Sequence, residues 1–500
     1  MADAVSLGVS GLNALRTPWF WFFIQCLVLA AALLAAGRFQ PVRVPDTPGY
    51  EMFPFASPRE ALTYSRTIGY PLLLKLGGLI AGGHAAVPAL DYLLHVLAVA
   101  VFWLGLKNLV RSNWTSMLVA GSLLYSHLVF RYVNNLAADC AGCSLAILSI
   151  GLLLLATLGR GRPWCWWALA GSIFAAYQVR PAYLFLVVLV PPLGAMLVWL
   201  AGPALPRSWP RLTWKLAAAA ALPLAIFGAV RWLTVGQFSL VSFGGCNFAG
   251  VVSPLMDAGD PPRFPAEVRR LAEAVLRRRA ELAASDPRFS PGPHSSYSEI
   301  ENAFNANTWQ IGVPAAQEIY GDDWREIDRR LWQLGIAIVA EHPLRYGVWL
   351  AKAFVRGVSM IVSEYIMNPV YFALLAVLLA THGLRAVLRK RRGIEGAASG
   401  ADFAPSDGLL LIAVSFALAK LLLVIVTSPP LGRFMDAAGV FLACVLAEAV
   451  LRRVREICGG ASSRCGVPPE ASGTAAECRC QAAQPGGRVE SAGAAAAGNL

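Results

Sequence analysis

Asp46 and Tyr50 stand in a proline-broken stretch, PDTPGYEMFPFASPREALTYSRTIGYPLLL, that follows the first long apolar run. The same stretch supplies Arg66 and Tyr70 around a Gly-Tyr-Pro turn, and Lys75 follows directly. A carboxylate beside a bilayer is stable only where it meets water, a partner or a substrate. Three more polar groups interrupt apolar sequence farther on. FRYVNNLAADC contains Arg131, Asn134, Asn135 and Asp139, YQVRPAYLF contains Tyr177, Gln178 and Arg180, and SPPLGRFMDAAG contains Arg433 and Asp436. Arg356 belongs to the basic, aromatic stretch PLRYGVWLAKAFVRGV. Each arginine alone reads equally well as a side chain snorkelling to water or pairing with a nearby acid. All the clusters, however, fall where apolar runs end on one membrane face. Acids and guanidinium groups gathered there would suit an ionic substrate held at the lipid surface.

The elements that must position them are membrane helices. Hydrophobic residues make up 57% of the chain and charged residues 14%, with a mean hydropathy of +0.55. Soluble domains carry about 25% charged residues. Apolar runs near 18–37, 87–110, 113–133, 138–158, 164–180, 182–201, 212–233, 367–388, 408–428 and 434–451 each approach the length of a crossing. The fold class expected is therefore an all-α polytopic membrane protein of about ten transmembrane helices. Basic residues flank alternate loops: Arg111, then Arg160 and Arg162, then Arg207, Arg211 and Lys215, then Arg389 to Arg392, then Arg452, Arg453 and Arg455. That asymmetry puts both termini in the cytoplasm and accounts for the net charge of +12 without nucleic acid. The first apolar run is long and lacks a small-residue cleavage site, so it reads as a span and not a removable signal.

The expected organisation is a transmembrane module over 1–233, with a first outer loop at about 38–66. A partly helical outer segment follows over 234–343, then a second transmembrane module over 344–458 and a disordered inner tail over 459–500. FPAEVRRLAEAVLRRRAEL and DDWREIDRRLWQLGIAIVAEHP in the outer segment read as amphipathic helices, separated by a turn-rich break from Asp286 to Pro293. The stretch after it reads as an interfacial helix leading into the next span. The ten cysteines form no framework. Cys140 and Cys143 make a CxxC that lacks the flanking fold of a redox motif.

These residues together resemble the GT-C superfamily of membrane glycosyltransferases, in particular its protein mannosyltransferase and aminoarabinose transferase branch. The matching elements are Asp46 followed by Tyr50, Arg66-x-x-Gly69-Tyr70-Pro71 leading into a helix, Asp139 at the start of a span, Arg180-Pro181 at a turn and Arg433-Phe434 late in the chain. The resemblance covers roughly 18–451 and departs from the acid-acid form of some members, since Thr47 follows Asp46. It implies an inverting transfer of a sugar from a polyprenyl-phosphate donor to a hydroxyl acceptor on protein, lipid or glycan. Asp46 would be the general base, and the implied setting is the outer face of a bacterial inner membrane. It further implies that Arg66, Arg180 and Arg433 hold the donor phosphate, with Lys75 and Arg356 behind them and Asp139 orienting an arginine or the sugar. The carrier tail would lie between spans, and the outer segment would cover the site and choose the acceptor.

No organic cofactor is expected, and no required metal. His84, His294 and His342 lack ligand spacing, and no Asp-x-Asp adjoins Asp46. Walker and Rossmann fingerprints are absent from the sequence. Three rival readings remain, of which a purely structural membrane scaffold fits the polar clusters least. A polysaccharide polymerase or ligase would use the arginines and the large loop without Asp46. A secondary transporter would show related halves with charges near mid-bilayer.

Overall fold

The computed structural model describes residues 17–110, 112–159, 162–201, 209–286, 304–392 and 405–462. Met1–Val454 form one compact unit and Arg455–Leu500 a second, of which only 455–462 are described. Residues 463–500 of the expected inner tail and most of the turn-rich break therefore lie outside the described residues, while 459–462, expected as disordered tail, continue the last helix.

Helix α1 (Pro18–Ala35) begins where Thr17 caps the Phe20 N–H at 3.4 Å and Pro18 occupies the first turn, where no N–H is needed. It ends before Gly37, whose φ of 68° glycine adopts without strain. The first loop then holds two short helices, α2 (Thr47–Glu51) and α3 (Pro58–Thr63). Next come α4 (Gly69–Ala81) and the long α5 (Val87–Val110). The run expected as one span over 113–133 is two helices, α6 (Asn113–Leu124) and α7 (His127–Tyr132). The break falls at Ser126, whose hydroxyl accepts from the Leu128 N–H and starts a new helix. Three further helices follow: α8 (Asp139–Leu158), α9 (Pro163–Val179) and α10 (Phe185–Ala201), the last with a 3-10 turn at Pro181–Tyr183. After them α11 runs Trp209–Val235.

The segment after α11 packs into a second apolar core, which also takes in Trp349, Ala353, Leu421 and Val424 from later helices. It contains α12 (Gly244–Val252), α13 (Ala266–Ala283), α14 (Val313–Tyr320) and α15 (Trp324–Glu341). Both expected amphipathic helices are present as α13 and α15. In α15 the buried Ile327, Leu331, Leu334 and Ile338 recur at helical spacing. Asp328 accepts from the Gly245 and Cys246 N–H groups at 2.8 and 3.3 Å, capping α12 and joining it to α15.

The stretch expected as an interfacial helix leading into the next span lies in a 25-residue helix, α16 (Pro343–Met367). It meets α17 (Pro369–Arg392) at an angle of 82°. The bend sits at Asn368, which the following proline keeps out of helical geometry and whose Oδ1 caps α17 through Val370 and Tyr371. The described residues end with α18 (Pro405–Thr427), the single turn α19 (Gly432–Met435) and α20 (Leu442–Ser462). The last apolar helix thus starts several residues later than expected.

Six helices among the described residues are long and apolar enough to cross a membrane, or seven if the bent α16–α17 pair is one crossing. The chain is an integral membrane protein by that measure. Helices α5 and α8 pack with their backbones close, through Gly105 and Gly151. A Cβ on Gly105 would lie 2.5 Å from the Gly151 carbonyl, and one on Gly151 would lie 2.6 Å from the Phe102 nitrogen. Small residues permit this approach between membrane helices. Gly151→Val should force the pair apart and destabilise the fold by about 1–3 kcal/mol. A lowered thermal midpoint of the detergent-purified protein, against unchanged behaviour of Gly171→Val with open space around it, checks this.

Candidate active site

The first loop is pinned before any charge is considered. Val42 N–H donates to the Asn134 carbonyl at 2.7 Å and Leu136 N–H returns the bond to Val42 at 2.9 Å. The Thr47 hydroxyl donates to the Leu136 carbonyl at 2.9 Å and accepts from Val44 N–H. Tyr70 donates to the Asn135 carbonyl at 3.3 Å. Gly69 lies so close to the end of α9 that a Cβ there would be 2.5 Å from the Gln178 and Val179 backbone. Arg231, 1% exposed, ties the end of α11 to the loop by donating to the Leu62 carbonyl at 2.6 Å.

This frame brings acids and guanidinium groups from four chain segments together. Asp46, half-buried, accepts from Arg66 Nη2 at 2.7 Å through Oδ1 and from Arg433 Nη2 through Oδ2. Arg433 Nε also lies 3.4 Å from Asp139, the first residue of α8, which is 3% exposed and paired with Arg180. Arg180 in turn donates to the Arg433 carbonyl at 3.4 Å. Each residue is placed by a helix end. Arg180 follows α9 because Pro181 forbids it helical geometry. Arg433 sits in α19, just after Pro429 and Pro430 end α18. Tyr50 lines the same place, with the Arg66 guanidinium 5.3 Å from its ring centre and the Tyr70 ring 4.9 Å away.

Burial acts to raise the Asp46 carboxyl pKa, but the cations of Arg66 and Arg433 outweigh it and hold the group below its usual value. The carboxylate is therefore ionised at neutral pH. Beside two guanidinium groups it can accept a proton only as they are drawn away, while those groups can bind an incoming anion.

Of the residues singled out from the sequence, Asp46, Tyr50, Arg66, Tyr70, Asp139, Arg180 and Arg433 meet here. Lys75 is exposed on α4, its amine 4.7 Å over the Phe55 ring. Arg356 is exposed on α16, beside Gly357, which packs against Leu421 and Pro430. The hydrogen bonds of Asp46 run to Arg66 and Arg433 and to neither of these.

Lys420 and Asp91 are buried ionisable residues that the sequence reading does not single out. Lys420, 1% exposed within α18, holds its amine 4.9 Å from the centre of the Tyr183 ring. Asp91 on α5 is fully buried with neither carboxyl oxygen hydrogen-bonded. Both interrupt long apolar runs, which was the available signal. An apolar groove of about 780 Å³ runs between α9 and α11, lined by Trp166, Ala170 and Phe174 on one side and Ala219, Leu222 and Ile226 on the other.

No protein-family model and no curated protein matches the chain. Among solved structures it is similar to ArnT from Cupriavidus metallidurans bound to undecaprenyl phosphate. That similarity has 13% identity over 88% of this chain and 79% of that one, with a TM-score of 0.34. At that level the chemistry rests on the side chains themselves.

A carboxyl whose folded-state pKa is depressed adds stability above its unfolded value, near 3.9, and loses it as the pH falls through the folded value. The thermal midpoints of the wild type and Asp46→Asn should thus differ most at pH 7 and converge toward pH 3. A scanning-fluorimetry series over that range checks it; a gap that widens on acidification would contradict the pairing.

Proposed function

We propose that this chain is a membrane glycosyltransferase of the GT-C type, moving a sugar from a polyprenyl-phosphate donor to a hydroxyl acceptor at the outer membrane surface. The observation that carries the reading is one carboxylate, Asp46, clasped by Arg66 and Arg433, with the Asp139–Arg180 pair behind Arg433. The acceptor oxygen attacks the anomeric carbon from the face opposite the phosphate. The carbon–oxygen bond to the phosphate breaks, its electron pair leaves with the lipid phosphate, and the acceptor proton passes to Asp46. Inversion follows from the single displacement. The departing phosphate is already an anion, so no second carboxyl need protonate it, unlike the paired acids of most glycosidases.

The pairing also suggests an order of events. With both guanidinium groups on Asp46, the carboxylate is a poor base. A donor phosphate that engages Arg66 and Arg433 would draw them off and raise its proton affinity, so the base strengthens when the donor is seated. The isoprenoid tail is assigned to the apolar groove between α9 and α11. In this reading the chain crosses the bacterial inner membrane about ten times, with both termini in the cytoplasm. The outer segment over 234–343 faces the acceptor.

Asp46→Asn should lower transfer by about 10²–10⁴-fold, the usual scale of general-base catalysis, with donor binding kept. The measurement is release of lipid phosphate from a panel of polyprenyl-phosphate sugars by purified protein. Undiminished release by the Asn variant would remove Asp46 from the mechanism and favour a polymerase or ligase. Binding without release by the wild type would favour a transporter.

A further inference from the structure

Asp436 follows Arg433 by three residues and its side chain is 1% exposed. Its Oδ2 accepts from the Tyr132 hydroxyl and lies 3.3 Å from Arg131 Nη1, whereas Oδ1 has no hydrogen-bond partner. Glu364, near the end of α16, and His127, the first residue of α7, face the same point. One donor atom from each of the three lies within 4.8 Å of the others. His127 Nε2 is 3.3 Å from Glu364 Oε1, but off the hydrogen-bonding direction, and neither buried ring nitrogen makes a hydrogen bond. Two carboxylates this close and this shielded repel each other unless a proton or a cation lies between them.

We propose that His127, Glu364 and Asp436 form a binding site for one divalent cation of the zinc type. An imidazole with two carboxylates is a donor set that such ions accept, usually with a further position left open. Zinc bonds of about 2.1 Å in tetrahedral geometry put donor atoms about 3.4 Å apart, close to the His127–Glu364 separation. The ion would fasten α7 and the end of α16 to the turn that carries Arg433. Its binding is independent of the transfer reaction, and it departs from the metal-free expectation drawn from histidine spacing.

A second cluster, Asp257, Asp260 and His342, also gathers donors within 4.8 Å. Its groups are already satisfied. His342 Nε2 lies 2.6 Å from Asp260 Oδ2, which also accepts from the Asp257 N–H at 2.6 Å, and Asp257 pairs with Arg345 at 2.9 Å. That cluster serves as the control.

The experiment titrates Zn²⁺ alone into full-length, chelator-stripped protein in detergent, with calorimetry and elemental analysis as readouts and size exclusion as the check on folding. One Zn²⁺ per chain is expected in the wild type and in His342→Ala. Binding weakened by about 100-fold or more in both His127→Ala and Glu364→Gln would exceed the effect of losing an outer partner. Glu364→Gln preserves shape, so it decides the matter if His127→Ala fails to fold. Absence of stoichiometric binding, or equal affinity in wild type and Glu364→Gln, overturns the proposal and leaves a shared proton between the acids. Loss on His342→Ala alone moves the ion to the other cluster.

Discussion

Neutralisation of charge at the end of a helix bundle is the constraint on which this molecule depends. Asp46 and Asp139 are acids in poorly hydrated surroundings, and each is matched by guanidinium groups from distant parts of the chain. Arg433 touches both acids, so it couples the first loop to the start of α8. Breaking such a pair is far more harmful than never having had it, because the orphaned charge stays desolvated. Loop geometry, helix termination and the placement of Pro181, Pro429 and Pro430 all serve this arrangement.

The polar contacts beneath the charges explain how it is held. A two-bond parallel bridge, the Thr47 hydroxyl and the Tyr70 hydroxyl attach the first loop to the turn before α8. Gly69 lets the same loop rest directly on the end of α9. The loop is thus built into the scaffold, and its carboxylate is aimed by helix ends more than by its own short helices. Sites so supported hold their reactive groups more closely than free loops do.

Much of this was legible in the sequence. Polar residues at the ends of apolar runs are conspicuous, and Asp46, Arg66, Asp139, Arg180 and Arg433 stood out for that reason before their contacts were known. Lys75 carried the same signal but sits on the exposed side of α4, a direction that hydropathy does not encode. The break between α6 and α7 depends on one serine cap inside an apolar stretch, and a window average passes over it. His127 and Glu364 are more than two hundred positions apart with no spacing motif, so only the folded chain shows them together. Lys420 is a lone amine in an apolar run, and the sequence gives no sign of the Tyr183 ring it meets.

The long reach between partners has a consequence for biogenesis. Asp46 and Arg433 are separated by 387 positions. A nascent chain inserting from its N-terminus therefore carries Asp46 with Arg66 as its one guanidinium partner until nearly all of its length has left the ribosome. Every intermediate that stops short of Arg433 lacks the group that touches both acids, and completion of the final helices is what joins the two pairs.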